Sequence, residues 1–292
     1  MSAWHMDTVY IERSLIYGGR TSIVESGPAR IVVEVRHDLQ ASKIVQQIIF
    51  YRDLPQVDFK THIDWREPGN PEKGIPNLKI AFTANLPEAE AWFETPFAAI
   101  ERPCDGQEVP ALRWADVGGP EYGMALINDS KYGYDILGTR LRMSLVRSAY
   151  EPDAIADLGW HEINFRFLPH PGDWRAAGVV QSALGFNQPL LAWEVTEPVP
   201  GSSKHKFWRP ELVGSTAVLL TGLKNAKKGA GMVLRICESS GYSGRAEVHG
   251  IPEKAQVFEA NILEDKLQKI PVVSGCIHLA FNPWQVKTIL VE

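Results

Sequence analysis

Residues Gln56–Trp65 alternate strictly between two kinds of side chain. Val57, Phe59, Thr61, Ile63 and Trp65 fall on one side, and Asp58, Lys60, His62 and Asp64 on the other. Successive side chains on a strand point to opposite faces of a sheet, so this segment predicts a strand with one wet face. The same period-two signal returns at Ala29–Val35, Leu78–Phe82, Leu141–Leu145, Ile163–Phe167, Met232–Ile236 and Ile277–Phe281. Ser42–Phe50 places Ile44, Val45, Ile48 and Ile49 at near-helical spacing, but a β-branched run of that length suits a buried strand better. Helical periodicity is thin elsewhere. Turn residues bound nearly all the runs, as at Gly27-Pro28, Pro68-Gly69-Asn70-Pro71, Gly118-Gly119-Pro120 and Pro171-Gly172-Asp173. Such short connections suit hairpins rather than crossovers, so the chain reads as all-β and antiparallel.

Between about Leu184 and Pro210 the alternation fades. Pro189, Pro198 and Pro210 surround a Pro200-Gly201-Ser202-Ser203 run, the composition of a solvated connector. The expected organisation is a large antiparallel β-sandwich over residues 1–190, a linker over 191–210 and a small terminal β-sandwich over 211–292. Limited proteolysis is then expected to cut first near Pro200–Lys206.

Composition narrows the class of partner. The 292 residues are 45% hydrophobic and 22% charged, ordinary values for a globular chain. A net charge of −5 without any Lys/Arg run argues against nucleic acid or an anionic membrane as the main partner. No apolar run approaches the roughly 20 residues that span a bilayer. The opening MSAWHMDTVYIERS has neither an apolar signal core nor a basic leader. Cys104, Cys237 and Cys276 are odd in number and far apart, which suits a reducing cytoplasm and inert thiols better than a disulfide framework. No Cys-x-x-Cys spacing points to a metal, and no phosphate loop or nucleophile elbow is present.

Several short motifs occur in a fixed order. They are Val24–Arg30, His62–Glu67, Ile100–Pro103, Arg113–Asp116, Asn128–Asp135, Leu145–Ser148, Asp157-x-Gly159-x-His161 and Pro169-His170. Leu220–Lys224, Arg235–Gly241 and Phe281–Thr288 follow. Together they resemble the C-terminal β region of glycoside hydrolase family 38, the α-mannosidases. The Asn128-Asp129-Ser130-Lys131-Tyr132-Gly133 loop is similar to that of the cytosolic and vacuolar branch. The resemblance implies a mutarotase-like super-sandwich followed by a small sandwich. It also implies that hydrolysis of terminal α-mannosides belongs to a preceding catalytic domain, with its zinc ligands and nucleophilic Asp. That domain has no counterpart in these residues, so no catalytic residue, metal ligand or cofactor is assigned to this chain. The implied partners are such a catalytic domain, on the same or a separate chain, and a mannose-containing glycan. An uncovered packing face would favour a homo-oligomer.

Carboxylates such as Asp129, Asp135, Asp157 and Glu162 single out nothing by sequence, because glycosidase carboxyl pairs are defined by separation in space. The Asn128–Asp135 segment is more specific. Asn128 and Asp129 can cap a turn and Gly133 can take a positive φ, holding Lys131, Tyr132 and Tyr134 outward. With the carboxylates of Asp129 and Asp135, that surface offers donors, acceptors and ring faces suited to a sugar. Asp129, Lys131, Tyr132, Tyr134 and Asp135 are therefore the expected substrate-binding residues, on a loop that in the family leans toward the pocket. His161 and Glu162 are adjacent and cannot converge on one ion. His161 is expected to be satisfied by Asp157 or the backbone, and His170 to be a rigid loop residue at a domain interface. Two other readings are a free-standing carbohydrate-binding β-sandwich and a mutarotase-like sugar epimerase, the latter needing a convergent His and Glu on a concave sheet.

Overall fold

The computed structural model describes residues 11–15, 18–72, 74–192, 194 and 209–292. The chain divides into two compact units, Met1–Glu94 with Ile100–Pro189, and Thr95–Ala99 with Leu190–Glu292. Nearly every regular element is a strand, and all the registered pairings are antiparallel.

The larger sheet, which belongs to the first unit except for Thr95, Ala98 and Ala99 at its edge, has nine strands. In spatial order they are β1 (Arg20–Ser26), β2 (Arg30–Leu39), β3 (Ser42–Tyr51), β4 (Val57–Trp65), β13 (Gly159–Pro171), β10 (Tyr122–Asn128), β9 (Trp114–Gly118), β6 (Glu90–Thr95) and β7 (Ala98–Arg102). Its partner sheet is β5 (Asn77–Thr83), β12 (Arg140–Arg147), β11 (Gly133–Leu137) and β8 (Val109–Pro110). One core joins the facing sides. It includes Phe59, Ile63 and Trp65 of β4, Leu126 of β10, Ile163 and Phe165 of β13, and Tyr134, Leu141 and Met143 from the smaller sheet. Phe59 stacks on Phe165 at 4.6 Å and meets Phe82 of β5 edge-on at 5.8 Å, which ties the two sheets through aromatic contact. The expected face of β4, Phe59 to Trp65, is the buried one.

The opposite face of β4 is not uniformly wet. Asp58 is buried there, accepting hydrogen bonds from Tyr51 Oη at 2.8 Å and from Arg166 Nε at 2.6 Å. Burial, then the bond to Asp58, pushes the Tyr51 phenol up to about 12. Arg166 also lies 5.0 Å over the ring of Phe186, on the one helix among the described residues, α1 (Val179–Asn187). This helix was not expected. It buries Val179, Val180 and Ala183, and Trp174 just before it is enclosed against Trp114 and Trp92. The centre of the larger sheet is thus covered on both sides, which explains why Asp58, Asp116 and His170 need partners.

At the other end of the sheet, β1 carries a bulge between Ile23 and Glu25. The smaller sheet is too narrow to reach this region, and Ile23, Ile31 and Phe50 stay exposed on the core-side face of β1–β3.

The second unit packs a three-stranded sheet, β14 (Glu211–Gly214), β17 (Gly244–His249) and β20 (Cys276–Phe281), on a five-stranded one. The latter runs β15 (Val218–Asn225), β16 (Met232–Glu238), β21 (Val286–Val291), β18 (Val257–Ala260) and β19 (Lys266–Ile270). Val248, Ile277, Leu234, Ile236, Val257 and Ile289 are among its core residues. Glu238 is fully buried and accepts the backbone N–H groups of Ser240 at 2.7 Å, Gly241 at 2.9 Å and Trp284 at 2.9 Å. The expected linker lies mostly in residues 195–208, outside the described residues, as does the Pro200–Lys206 cleavage site. Helix α1 runs to Asn187, within the stretch where the alternation fades and before the expected linker begins. No helix among the described residues is long and apolar enough to cross a membrane.

Candidate functional site

The loop between β10 and β11 is built around Asn128. Its Oδ1 accepts the Lys131 N–H, three residues on, at 2.8 Å. Its Nδ2 donates to Leu112 O at 2.8 Å and to Tyr134 Oη at 2.5 Å. Its own carbonyl accepts from Asn187 Nδ2 of α1 at 2.9 Å. A single buried amide therefore closes the turn and anchors it to the core and to the helix.

Two of the five expected substrate residues do not face outward. Tyr134 is wholly buried in the core, its hydroxyl donating to Leu126 O at 3.3 Å, and burial pushes its phenol well above the usual range. Asp135 is also wholly buried. It lies on the other face of β11, between Arg142 Nε at 2.5 Å and Lys79 Nζ at 2.6 Å. Once β11 begins at Gly133, alternation sends Tyr134 into the sandwich and Asp135 into an ion network with Lys79, Glu108 and Arg142. Neither can meet a sugar. Gly133 does not take a positive φ either. A Cβ there would stand 2.5 Å from Glu108 Oε1, so glycine makes room for that network.

Asp129, Lys131 and Tyr132 remain at the surface. Asp129 accepts hydrogen bonds from Ser130 Oγ and from Asn164 Nδ2 of β13, both at 3.0 Å. Tyr132 is 54% exposed, while its carbonyl is held by the Ala111 N–H at 2.9 Å. Lys131 is half-buried, and burial draws its ammonium below the usual lysine value against the opposing pull of Asp157 and Asp129. The loop thus presents one cation, one phenol and one carboxylate from a turn braced at Asn128. Asn164 and Asn187, which brace it, carried no sequence signal because their partners are 35 and 59 residues away.

Two family models match this chain. Residues 1–155 match the glycosyl hydrolases family 38 C-terminal domain, and residues 217–289 the glycosyl hydrolases family 38 C-terminal beta sandwich domain. The chain belongs to glycosyl hydrolase family 38. Alpha-mannosidase 2C1 of Homo sapiens is 32% identical over 263 residues, covering 86% of this chain and 24% of that protein. Alpha-mannosidase G of Dictyostelium discoideum is 30% identical over 304 residues, covering 98% of this chain and 27% of that protein. The chain spans about a quarter of the length of these relatives. An alpha-mannosidase from Enterococcus faecalis shares the fold, with a TM-score of 0.72 and 13% identity over 94% of this chain and 35% of that one.

Within family 38, many of the motifs that mark this chain turn out to be joints. Trp65 Nε1 donates to Ser148 Oγ at 2.6 Å, linking the Asp-Trp strand to the Leu145–Ser148 motif. The Arg113 N–H and guanidinium clasp Glu94. Glu238 joins Arg235–Gly241 to Phe281–Thr288 through the Trp284 N–H. His161 Nε2 meets the Asp157 carbonyl at 2.8 Å, as expected. His170 is not a loop residue. It belongs to β13, is buried, and its Nε2 lies 2.7 Å from Asp116 Oδ2.

Proposed function

We propose that this chain is the non-catalytic C-terminal β region of an α-mannosidase, packing on a catalytic domain and lending part of the substrate-pocket rim. The observation that carries this reading is one of proportion. Nearly the whole chain aligns with two α-mannosidases, yet it accounts for about a quarter of each. The exposed apolar strip of Ile23, Ile31 and Phe50 supports a packing role, since it lies where the smaller sheet leaves the larger one bare. The same strip would allow a homo-oligomer when the catalytic domain is lacking. The cysteines are thiols rather than disulfides, which supports a cytoplasmic setting. A terminal mannoside would meet Asp129, Lys131 and Tyr132.

Kinetics of the complete enzyme test the rim. Lys131→Ala should weaken mannoside processing by about 1–2 kcal/mol, the order of one charged hydrogen bond. The change should fall on KM more than kcat, because a rim residue binds ground and transition states alike. If Lys131→Ala, Tyr132→Phe and Asp129→Asn all leave kcat/KM unaltered, the loop is a structural hairpin. The packing role has its own test: Phe50→Asp should weaken association between separately produced catalytic region and this chain.

A further inference from the structure

We propose that Glu247, His249 and Cys276 form a binding site for a single zinc ion on the second unit, with His278 orienting the carboxylate. The four residues are placed by strand register. Glu247 and His249 are two apart on β17, and Cys276 and His278 two apart on β20. Glu247 pairs with His278 and His249 with Cys276, so the four side chains form a two-by-two block on one sheet face. The alternate residues Ala246, Val248, Ile277 and Leu279 turn into the core.

Three donor atoms converge. Cys276 Sγ lies 3.8 Å from His249 Nε2 and 3.9 Å from Glu247 Oε2, and the latter two atoms are 2.8 Å apart. Tetrahedral zinc, with bonds of about 2.3 Å to sulfur and about 2.0–2.1 Å to nitrogen or oxygen, needs ligand separations of roughly 3.3–3.6 Å. Each edge of the observed triangle is within about half an ångström of that, a side-chain adjustment with no backbone movement. The second oxygen, Glu247 Oε1, is 3.1 Å from His278 Nδ1, so the carboxylate is already held from behind.

The surroundings suit an ion that enters from solvent. Cys276 is 7% exposed, whereas the His249 and Glu247 side chains are 42% and 43% exposed. Cys276 is fixed by a tight turn, in which its backbone exchanges two hydrogen bonds with Val273 and Gly275 sits at φ +72°. One thiolate, one imidazole and one carboxylate favour zinc over calcium or magnesium, which prefer all-oxygen shells. The thiol loses its proton to solvent on binding, and water fills the fourth position.

A nucleophilic Cys–His–Glu relay fits less well. Such a relay takes the acid on one ring nitrogen and the nucleophile on the other. Here Glu247 and Cys276 both meet Nε2 of His249.

The test uses this 292-residue chain, stripped with chelator and titrated with zinc by calorimetry and with cobalt(II) by absorbance. One zinc per chain with Kd below about 1 µM is expected, together with a thiolate-to-cobalt charge-transfer band. Cys276→Ser should abolish the band and weaken zinc more than 100-fold, while His278→Gln should weaken it about 10-fold. Cys104→Ser and Cys237→Ser should change neither. Zinc should also protect Cys276 of the unsubstituted chain from alkylation, read by mass spectrometry, which needs no variant. Sub-stoichiometric binding, affinity indifferent to Cys276→Ser, or no protection of Cys276 would overturn the proposal.

Discussion

His170 Nε2 and Asp116 Oδ2 lie 2.7 Å apart on one face of the larger sheet, shut away from solvent, the contact running from β13 to β9 across Gly123 of β10. Gly123 makes room for the ring, since a Cβ there would come within 2.7 Å of His170 Cε1.

This pair should make stability fall as pH rises. Burial lowers the His170 imidazole, but the bond and charge of Asp116 outweigh it, and the net shift is upward. Asp116 is also raised, chiefly by burial, with Asp173 adding to it. Both groups hold protons more tightly folded than unfolded. The contribution of His170 is therefore complete below the ordinary imidazole value of about 6.5 and is lost as pH climbs through its raised value. Melting temperature measured against pH should show this decline above neutrality, and Asp116→Asn should flatten it. His170→Ala, which strands a buried carboxylate, should cost about 3–5 kcal/mol in denaturant unfolding.

Asn128 and Tyr134 should prove coupled. Tyr134→Phe removes a hydroxyl that both accepts from Asn128 and donates to Leu126, and should cost about 1–2 kcal/mol. Asn128→Ala frees the Leu112 carbonyl and the Lys131 N–H as well, and should cost more, about 2–4 kcal/mol. A double-mutant cycle should return a coupling of about 0.5–3 kcal/mol. A coupling near zero would mean that the loop and the core are held independently.

Glu238→Gln should destabilise the second unit by about 2–3 kcal/mol. The carboxylate accepts four hydrogen bonds, from three backbone N–H groups and from Ser240 Oγ, and an amide would turn a donor toward some of them. Gly241→Ala should also be costly, because Gly241 has φ +82° and a Cβ would come within 2.6 Å of the Trp284 ring. Denaturant unfolding followed by circular dichroism would read both.

The chain by itself should not turn over aryl α-mannosides. Among the described residues the buried carboxylates are already engaged: Glu34 by Arg36 and Gln47, Asp58 by Arg166 and Tyr51, Glu94 by Arg113, Asp116 by His170, Asp135 by Lys79 and Arg142, and Glu238 by backbone. Turnover that survives repeated purification and scales with this chain would refute the expectation.

The strands were legible because alternation survives wherever one face is apolar, as at Val57–Trp65. What alternation does not say is what covers the other face. Asp58 looked like a solvated residue until Arg166 and α1 closed over it. The helix itself was hidden because its buried residues, Val179, Val180 and Ala183, fill little more than one turn, too few to set a period. The loop after Asn128 ends sooner than expected, because Gly133, Tyr134 and Asp135 already belong to β11. The Glu247, His249, Cys276 and His278 block was missed for a related reason. Its spacing of two on each of two strands, 27 residues apart, matches no linear metal motif.

The bulge in β1 bears on whether the sheet can be extended at this edge. Among the described residues β1 is the outermost strand of its sheet, and a straight outer strand offers its backbone as a template for the next chain. The extra residue between Ile23 and Glu25 bends that template and breaks its repeat, and the Glu25–Arg30 ion pair places two charges at its end. Deleting Val24 should restore a regular outer strand, and light scattering should then show chains adding edge to edge.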